Sequence, residues 1–133
     1  MFKMNEQIDF YRHKLEYETD SYDLHEALNS DKPPVVVDAR SVNAFNTERI
    51  PGALSLPHRT MNEESTASLD RDKVYVVYCD GIGCNASTKG ALNLSRLGFR
   101  VRELMGGLDW WKRDGYQTEG SMAGEGKEVA CNC

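Results

Sequence analysis

No stretch of the sequence approaches the roughly 20 consecutive apolar residues that a bilayer-spanning helix requires. The opening Met1 to Glu6 also has no apolar core of signal-peptide length. Both absences lead to the expectation of a cytoplasmic protein with no membrane partner. A basic excess is missing too: 16 Lys and Arg stand against 21 Asp and Glu, a formal net charge of −5. That balance argues against a general nucleic-acid groove and leaves room only for a local cationic pocket. Cysteine is scarce, with four residues at positions 79, 84, 131 and 133. Two close clusters are not the disulfide framework of a small secreted domain. A Cys-x4-Cys pair far from a Cys-x-Cys pair is also looser than the spacing of structural zinc sites, so no metal is expected. There is no internal repeat. At 133 residues the chain has the length of one domain able to bury a core without staples.

What is present alternates in period. Ile8, Tyr11 and Leu15 lie at helical spacing in a polar segment, which predicts an amphipathic helix near 5–17 packed on the domain. Asp20 or Ser21 can cap a second short helix through Leu24, Ala27 and Leu28. The run Val35-Val36-Val37-Asp38 reads as a parallel strand buried on both faces, and Ser41 caps a helical turn after it. Ile50-Pro51-Gly52-Ala53 turns into a brief strand, 54–56, and the polar stretch 58–72 reads as loop. A second apolar strand, Val74–Tyr78, precedes a helix over about 85–97; strand 101–104 and a last helix from Gly107 to Arg113 follow. Strand and helix alternation argues an α/β fold with a small, mainly parallel central sheet of four or five strands. The expected organisation is an N-terminal helical extension over 1–30, a domain over 31–118 and a flexible tail over 119–133.

The chemistry-bearing feature is Cys79, where strand 74–78 runs out into Asp80-Gly81-Ile82-Gly83-Cys84-Asn85 and a helix begins. Unpaired N–H groups and the helix dipole favour an anion at such a terminus and lower a thiol's pKa. In an open parallel sheet, ligands bind outside the carboxyl ends of the strands. Asp38 and Arg40 at one strand end and His58 after another could therefore share a rim with Cys79, although a structural ion pair and an exposed loop histidine are the plainer readings. Trp111 is expected in the core and Trp110 as its partly exposed cover.

At these residues the chain resembles the single-domain rhodanese family of sulfurtransferases. Val36-Val37-Asp38-Ala39-Arg40 is similar to that family's strand ending in Asp-x-Arg, and Arg49-Ile50-Pro51-Gly52-Ala53 to its His-Ile-Pro-Gly-Ala turn with Arg for His. Val76-Val77-Tyr78-Cys79 resembles the strand that delivers the catalytic cysteine, and Leu97-Gly98-Phe99, Leu104-Met105-Gly106-Gly107, Trp111 and Gly115 the closing pattern. The resemblance implies a rhodanese-like fold and a Cys79 that takes a sulfane sulfur from a small-molecule or protein donor. The sulfur is held as a persulfide and passed to a thiol or other nucleophile, with no cofactor. The loop from Asp80 through Gly81, Ile82, Gly83, Cys84 and Asn85 would cradle that anion with its amides, the two glycines supplying the backbone angles. Three features depart from the family pattern. The interval from Cys79 to Gly98 is about two residues longer, Asp80 replaces the usual basic residue, and no Lys or Arg occurs in the loop before Lys89. Thiosulfate is then expected to be a poor donor. Cys84 lies close enough in sequence to act as a resolving thiol that captures a Cys79 sulfenic acid as a disulfide.

Three other readings compete. Gly81-Ile82-Gly83-Cys84-Asn85-Ala86, with Glu103 some twenty residues on, matches a dinucleotide fingerprint, but too few strands follow to house a dinucleotide. A Cys-x5-Arg phosphatase loop would need Arg where Asn85 stands. A non-catalytic binding or redox-sensing module of the same fold, using Cys79 and Cys84, is the remaining alternative. Cys131 and Cys133 read as a dispensable tail pair, and the oligomeric state is left open.

Overall fold

The computed structural model describes residues 3–124. Its five strands are β1 (Glu18–Thr19), β2 (Val35–Asp38), β3 (Leu54–Ser55), β4 (Val74–Tyr78) and β5 (Arg100–Leu104). They form one sheet in the order β1-β5-β4-β2-β3, with every neighbouring pair parallel. Five α-helices are present among the described residues: α1 (Met4–Tyr17), α2 (Ser21–Leu28), α3 (Val42–Thr47), α4 (Ala86–Arg96) and α5 (Gly107–Arg113). None is long and apolar enough to cross a membrane.

Side chains alternate across a strand, and that alternation divides the core in two. Val36, Val76 and Tyr78 point to one face, where Leu24 of α2 and Leu108 and Trp111 of α5 cover them. Val37, Tyr75 and Val77 point to the other, against Leu94 of α4 and Phe99. The central strands β2 and β4 are therefore apolar on both sides, as the runs at 35–38 and 74–78 predict. Trp111 is 2 % exposed and Trp110 44 %, the division of labour expected for the pair.

The N-terminal region departs from expectation in two ways. Helix α1 forms over the predicted span but buries no residue, and Ile8, Tyr11 and Leu15 all face solvent. The reason is topological: β1 follows α1 directly and pairs with β5 as an edge strand, while α2, α4 and α5 already cover the sheet faces. Helix α1 is held instead at its carboxyl end, where Arg102 Nη2 donates to the carbonyls of Leu15 and Glu18 at 3.0 and 2.6 Å. The second departure is the boundary at residue 31. Leu24 is 1 % exposed in the core and β1 is part of the sheet, so α2 and β1 belong to the domain rather than to an extension.

Residues 119–124, expected to be part of a loose tail, are bound to the domain. Arg49 and Glu119 exchange backbone hydrogen bonds, and the Ser121 and Met122 amides donate to the carbonyls of Asn46 and Thr47. Residues 119–124 thus close over the end of α3. Cys131 and Cys133 lie outside the described residues.

One buried carboxylate ties the strand ends together. Asp38 has no exposure and accepts from the Arg40 amide at 2.9 Å, from Arg40 Nε at 3.0 Å and Nη2 at 2.7 Å, and from the Tyr78 hydroxyl at 2.7 Å. Arg40 Nη2 also donates to the Glu48 carbonyl, and the Ile50 amide donates to the Tyr78 oxygen. Burial alone would lower the Arg40 pKa, but pairing with Asp38 and Asp80 raises it above its ordinary value. Burial and the adjacent Asp38 carboxylate raise that of Tyr78. Removing one member of such a pair leaves an uncompensated buried charge. Asp38→Asn should therefore lose about 3–5 kcal/mol of stability in urea unfolding, and Tyr78→Phe about 1–3 kcal/mol through the unmet Ile50 amide.

Candidate active site

Strands β2 and β4 end side by side, with Asp38 opposite Tyr78 in the register. Residues 39–41, 57–59 and 79–86 consequently meet at one edge. They enclose an open cleft of about 360 Å³ lined by Ala39, Arg40, Ser41, Pro57, His58, Arg59, Asp80 and Cys84, with Ala44 and Ala86. Of the expected rim residues, Arg40 and His58 reach the cleft. Asp38 lies beneath it, wholly engaged with Arg40 and Tyr78. The ion-pair reading of Asp38 and Arg40 and the rim reading of Arg40 both hold for this one guanidinium.

The loop after β4 is fixed from below by α5. The Leu108 amide donates to the Cys79 carbonyl at 2.9 Å and the Asp109 amide to the Asp80 carbonyl at 2.8 Å. This approach requires glycine at 107, since a Cβ there would sit 2.3 Å from the Cys79 carbonyl oxygen. Within the loop only Gly83 takes a positive φ, 92°. Gly81 serves a different purpose from the one expected: a Cβ on it would press to 3.2 Å from Asp109 Cβ. Ile82 is exposed at the loop tip. Asn85 precedes α4 without a side-chain cap bond.

The two thiols of the loop have different surroundings. Cys79 is 2 % exposed; its sulfur lies 3.2 Å from the Cys84 carbonyl and 3.4 Å from Ser87 Oγ. Burial pushes its pKa up, the neighbouring Cys84 pushes it further, and the Ser87 contacts only partly offset them. Cys84 is half-buried and lines the cleft. Its own burial acts to raise its pKa, but the adjoining Cys79 thiol and the backbone at Ala86 and Asp80 outweigh that and bring it below the usual value.

Asp80 is likewise not the free carboxylate that the sequence suggests. Arg40 Nη1 donates to it at 3.0 Å, so the cation missing from the loop arrives from the end of β2. His58 is half-buried rather than exposed; burial, and then Arg59 and Lys89, hold its pKa below the ordinary value, which keeps the ring neutral near neutral pH. Three contributors were not singled out in the sequence. Arg59 follows the expected His58. Ser87 donates to Glu103 Oε2 at 2.7 Å, a bond that Thr88 also makes. Glu103 is the acidic residue of the dinucleotide fingerprint, and it is engaged with the first turn of α4. Only the packing of α4 on β5 joins positions 87 and 103, and no local pattern marks it.

Residues 21–114 match the family model described as a rhodanese-like domain. The chain belongs to the rhodanese-like family. Among solved structures, a protein of Bacillus halodurans is 37% identical with a TM-score of 0.86, the match covering 95% of this chain and 93% of that one. The rhodanese-like domain of an Anabaena sp. protein is 29% identical, with TM-score 0.72 and coverage of 80% and 81%. A rhodanese-related protein of Thermoplasma volcanium is 26% identical, with TM-score 0.67 and coverage of 77% and 97%. No curated protein matches the chain.

These thiol environments in the rhodanese-like domain carry a direct consequence for reactivity. Near neutral pH, iodoacetamide should modify Cys84 faster than Cys79 by on the order of tenfold or more, because the thiolate and not the thiol is the nucleophile. The reactivity of Cys84 should also persist to lower pH. Peptide mapping of the alkylated protein by mass spectrometry measures both.

Proposed function

We propose that the chain is a rhodanese-type sulfurtransferase that takes a sulfane sulfur from a small-molecule or protein donor onto its Cys79/Cys84 loop and delivers it to a thiol or other nucleophile. The observation that carries this reading is the meeting, in a rhodanese-like domain, of an open cleft with Cys84 on a loop whose backbone amides run into the start of α4. A persulfide is an anion at neutral pH, and such amides hold an anion without metal or organic cofactor. The assay is donor consumption and sulfur delivery to a thiol acceptor by the intact protein. Wild type should turn over, and the double variant Cys79→Ser/Cys84→Ser should not. Equal rates for the two would refute the reading.

A second reading, a redox-sensing module of the same fold, is favoured by the adjoining thiols. It requires a reversible Cys79–Cys84 disulfide under mild peroxide together with no turnover of sulfane-sulfur donors. Release of the disulfide by reductant, with donor turnover intact, would favour the enzyme.

Donor preference follows from the rim. Arg40 is shared between Asp38 and Asp80, which leaves Arg59 as the cation among the cleft-lining residues with no carboxylate bound to it. A dianion such as thiosulfate is then less well held than a singly charged persulfide. Asp80→Asn should free Arg40 Nη1 and lower the KM for thiosulfate several-fold with a smaller change in kcat, as steady-state kinetics would record. An unchanged KM in the folded variant would remove Asp80 from donor selection.

A further inference from the structure

The cleft contains one thiol and the protein interior behind it contains the other. Cys84 is among the residues that line the cleft, whereas Cys79 is 2 % exposed and does not reach the lining. A donor delivering its outer sulfur needs room for that sulfur and for its leaving group along the axis of attack, and that room exists only on the cleft side. Cys79 is therefore the less accessible of the two thiols. In disulfide exchange the nucleophile stands opposite the group it expels. The Cys79 sulfur lies 3.2 Å from the Cys84 carbonyl, so a sulfur accepted by Cys84 from the cleft has the buried thiol beside it.

Resting on the reading that this loop accepts sulfane sulfur, we propose that Cys84 is the accepting thiol, that Cys79 resolves the Cys84 persulfide, and that the protein thereby reduces persulfides to hydrogen sulfide. In the first step the Cys84 thiolate attacks the outer sulfur of a persulfide R–S–SH. A bond forms between Cys84 Sγ and that sulfur, the donor's S–S bond breaks, and RS⁻ leaves. In the second step Cys79 Sγ attacks Cys84 Sγ, the bond to the accepted sulfur breaks, and HS⁻ departs into the cleft. The accepted sulfur gains two electrons and the two thiols lose them, leaving a Cys79–Cys84 disulfide. An external dithiol must then reduce that disulfide to begin another cycle.

The second step needs an acceptor for the Cys79 proton in a place closed to water, and one is present. The Ser87 hydroxyl gives its own proton to Glu103 Oε2 at 2.7 Å, so its lone pairs face the Cys79 thiol at 3.4 Å. The proton passes from Cys79 to Ser87 as Ser87 yields its own to Glu103. Glu103 acts through Ser87 and is a positioning residue in this scheme.

The test is a single turnover of the reduced full chain with cysteine persulfide, without air and without reductant. Wild type should release one hydrogen sulfide per chain and finish as the Cys79–Cys84 disulfide, read by intact mass and peptide mapping. Cys79→Ser should accept sulfur and retain it on Cys84 with no hydrogen sulfide burst, whereas Cys84→Ser should accept none. Glu103→Gln should accept sulfur at the wild-type rate and release hydrogen sulfide on the order of tenfold more slowly, with Glu103→Asp recovering much of that rate. Persulfide found on Cys79 in wild type or in Cys84→Ser would overturn the order of the thiols. Equal release rates for Glu103→Gln and wild type would overturn the proton route. Failure of wild type to accept any sulfur would instead defeat the sulfurtransferase reading on which the scheme rests.

Discussion

A carboxylate with no access to water can stay ionised only if its surroundings replace the solvent, and Asp38 meets that condition through five hydrogen bonds from Arg40 and Tyr78. The partners are not local to one element. Arg40 begins the loop after β2, Tyr78 ends β4, and the same two side chains reach the Glu48 carbonyl and the Ile50 amide beyond α3. Satisfying one buried charge thus fixes where two strands end relative to each other and where the chain returns toward β3. The cleft is the outer surface of that arrangement, and its position depends on the charge below it.

Arg40 joins stability to chemistry. Its Nε and Nη2 atoms are committed to the interior, and Nη1 is left to meet Asp80 at the rim. A loop that has no cation of its own acquires one in this way, already partly neutralised. The same economy holds below the loop, where the α5 amides that bond the Cys79 and Asp80 carbonyls also begin the helix carrying Leu108 and Trp111 into the core. The loop is shaped by groups that are themselves held in the core.

The two cysteines illustrate how environment outweighs position. A thiol at a strand end before a helix is a good candidate for a thiolate, and both cysteines satisfy that description loosely. Burial disfavours the charged form at Cys79, while at Cys84 the adjoining Cys79 thiol and the loop backbone favour it.

Much of the fold is legible in the sequence because periodicity and punctuation express forces that act locally. The apolar runs at 35–38 and 74–78 require burial on both faces, Ser41 caps α3, and Gly106-Gly107 opens α5 through two left-handed residues. The family motifs, the loop and the closeness of Cys84 to Cys79 are legible for the same reason. Other features had no local signature. The apolar spacing of Ile8, Tyr11 and Leu15 shows that a helix forms, but whether a sheet face remained free to receive it depended on β1, two residues long, and on three other helices. Which thiol meets the cleft, the pairing of Asp80 with Arg40 and the contact of Ser87 with Glu103 were decided only by tertiary structure. Solvent access, charge neutralisation and hydrogen bonding depend on distances between segments far apart in the chain, and those distances exist only once the sheet has closed.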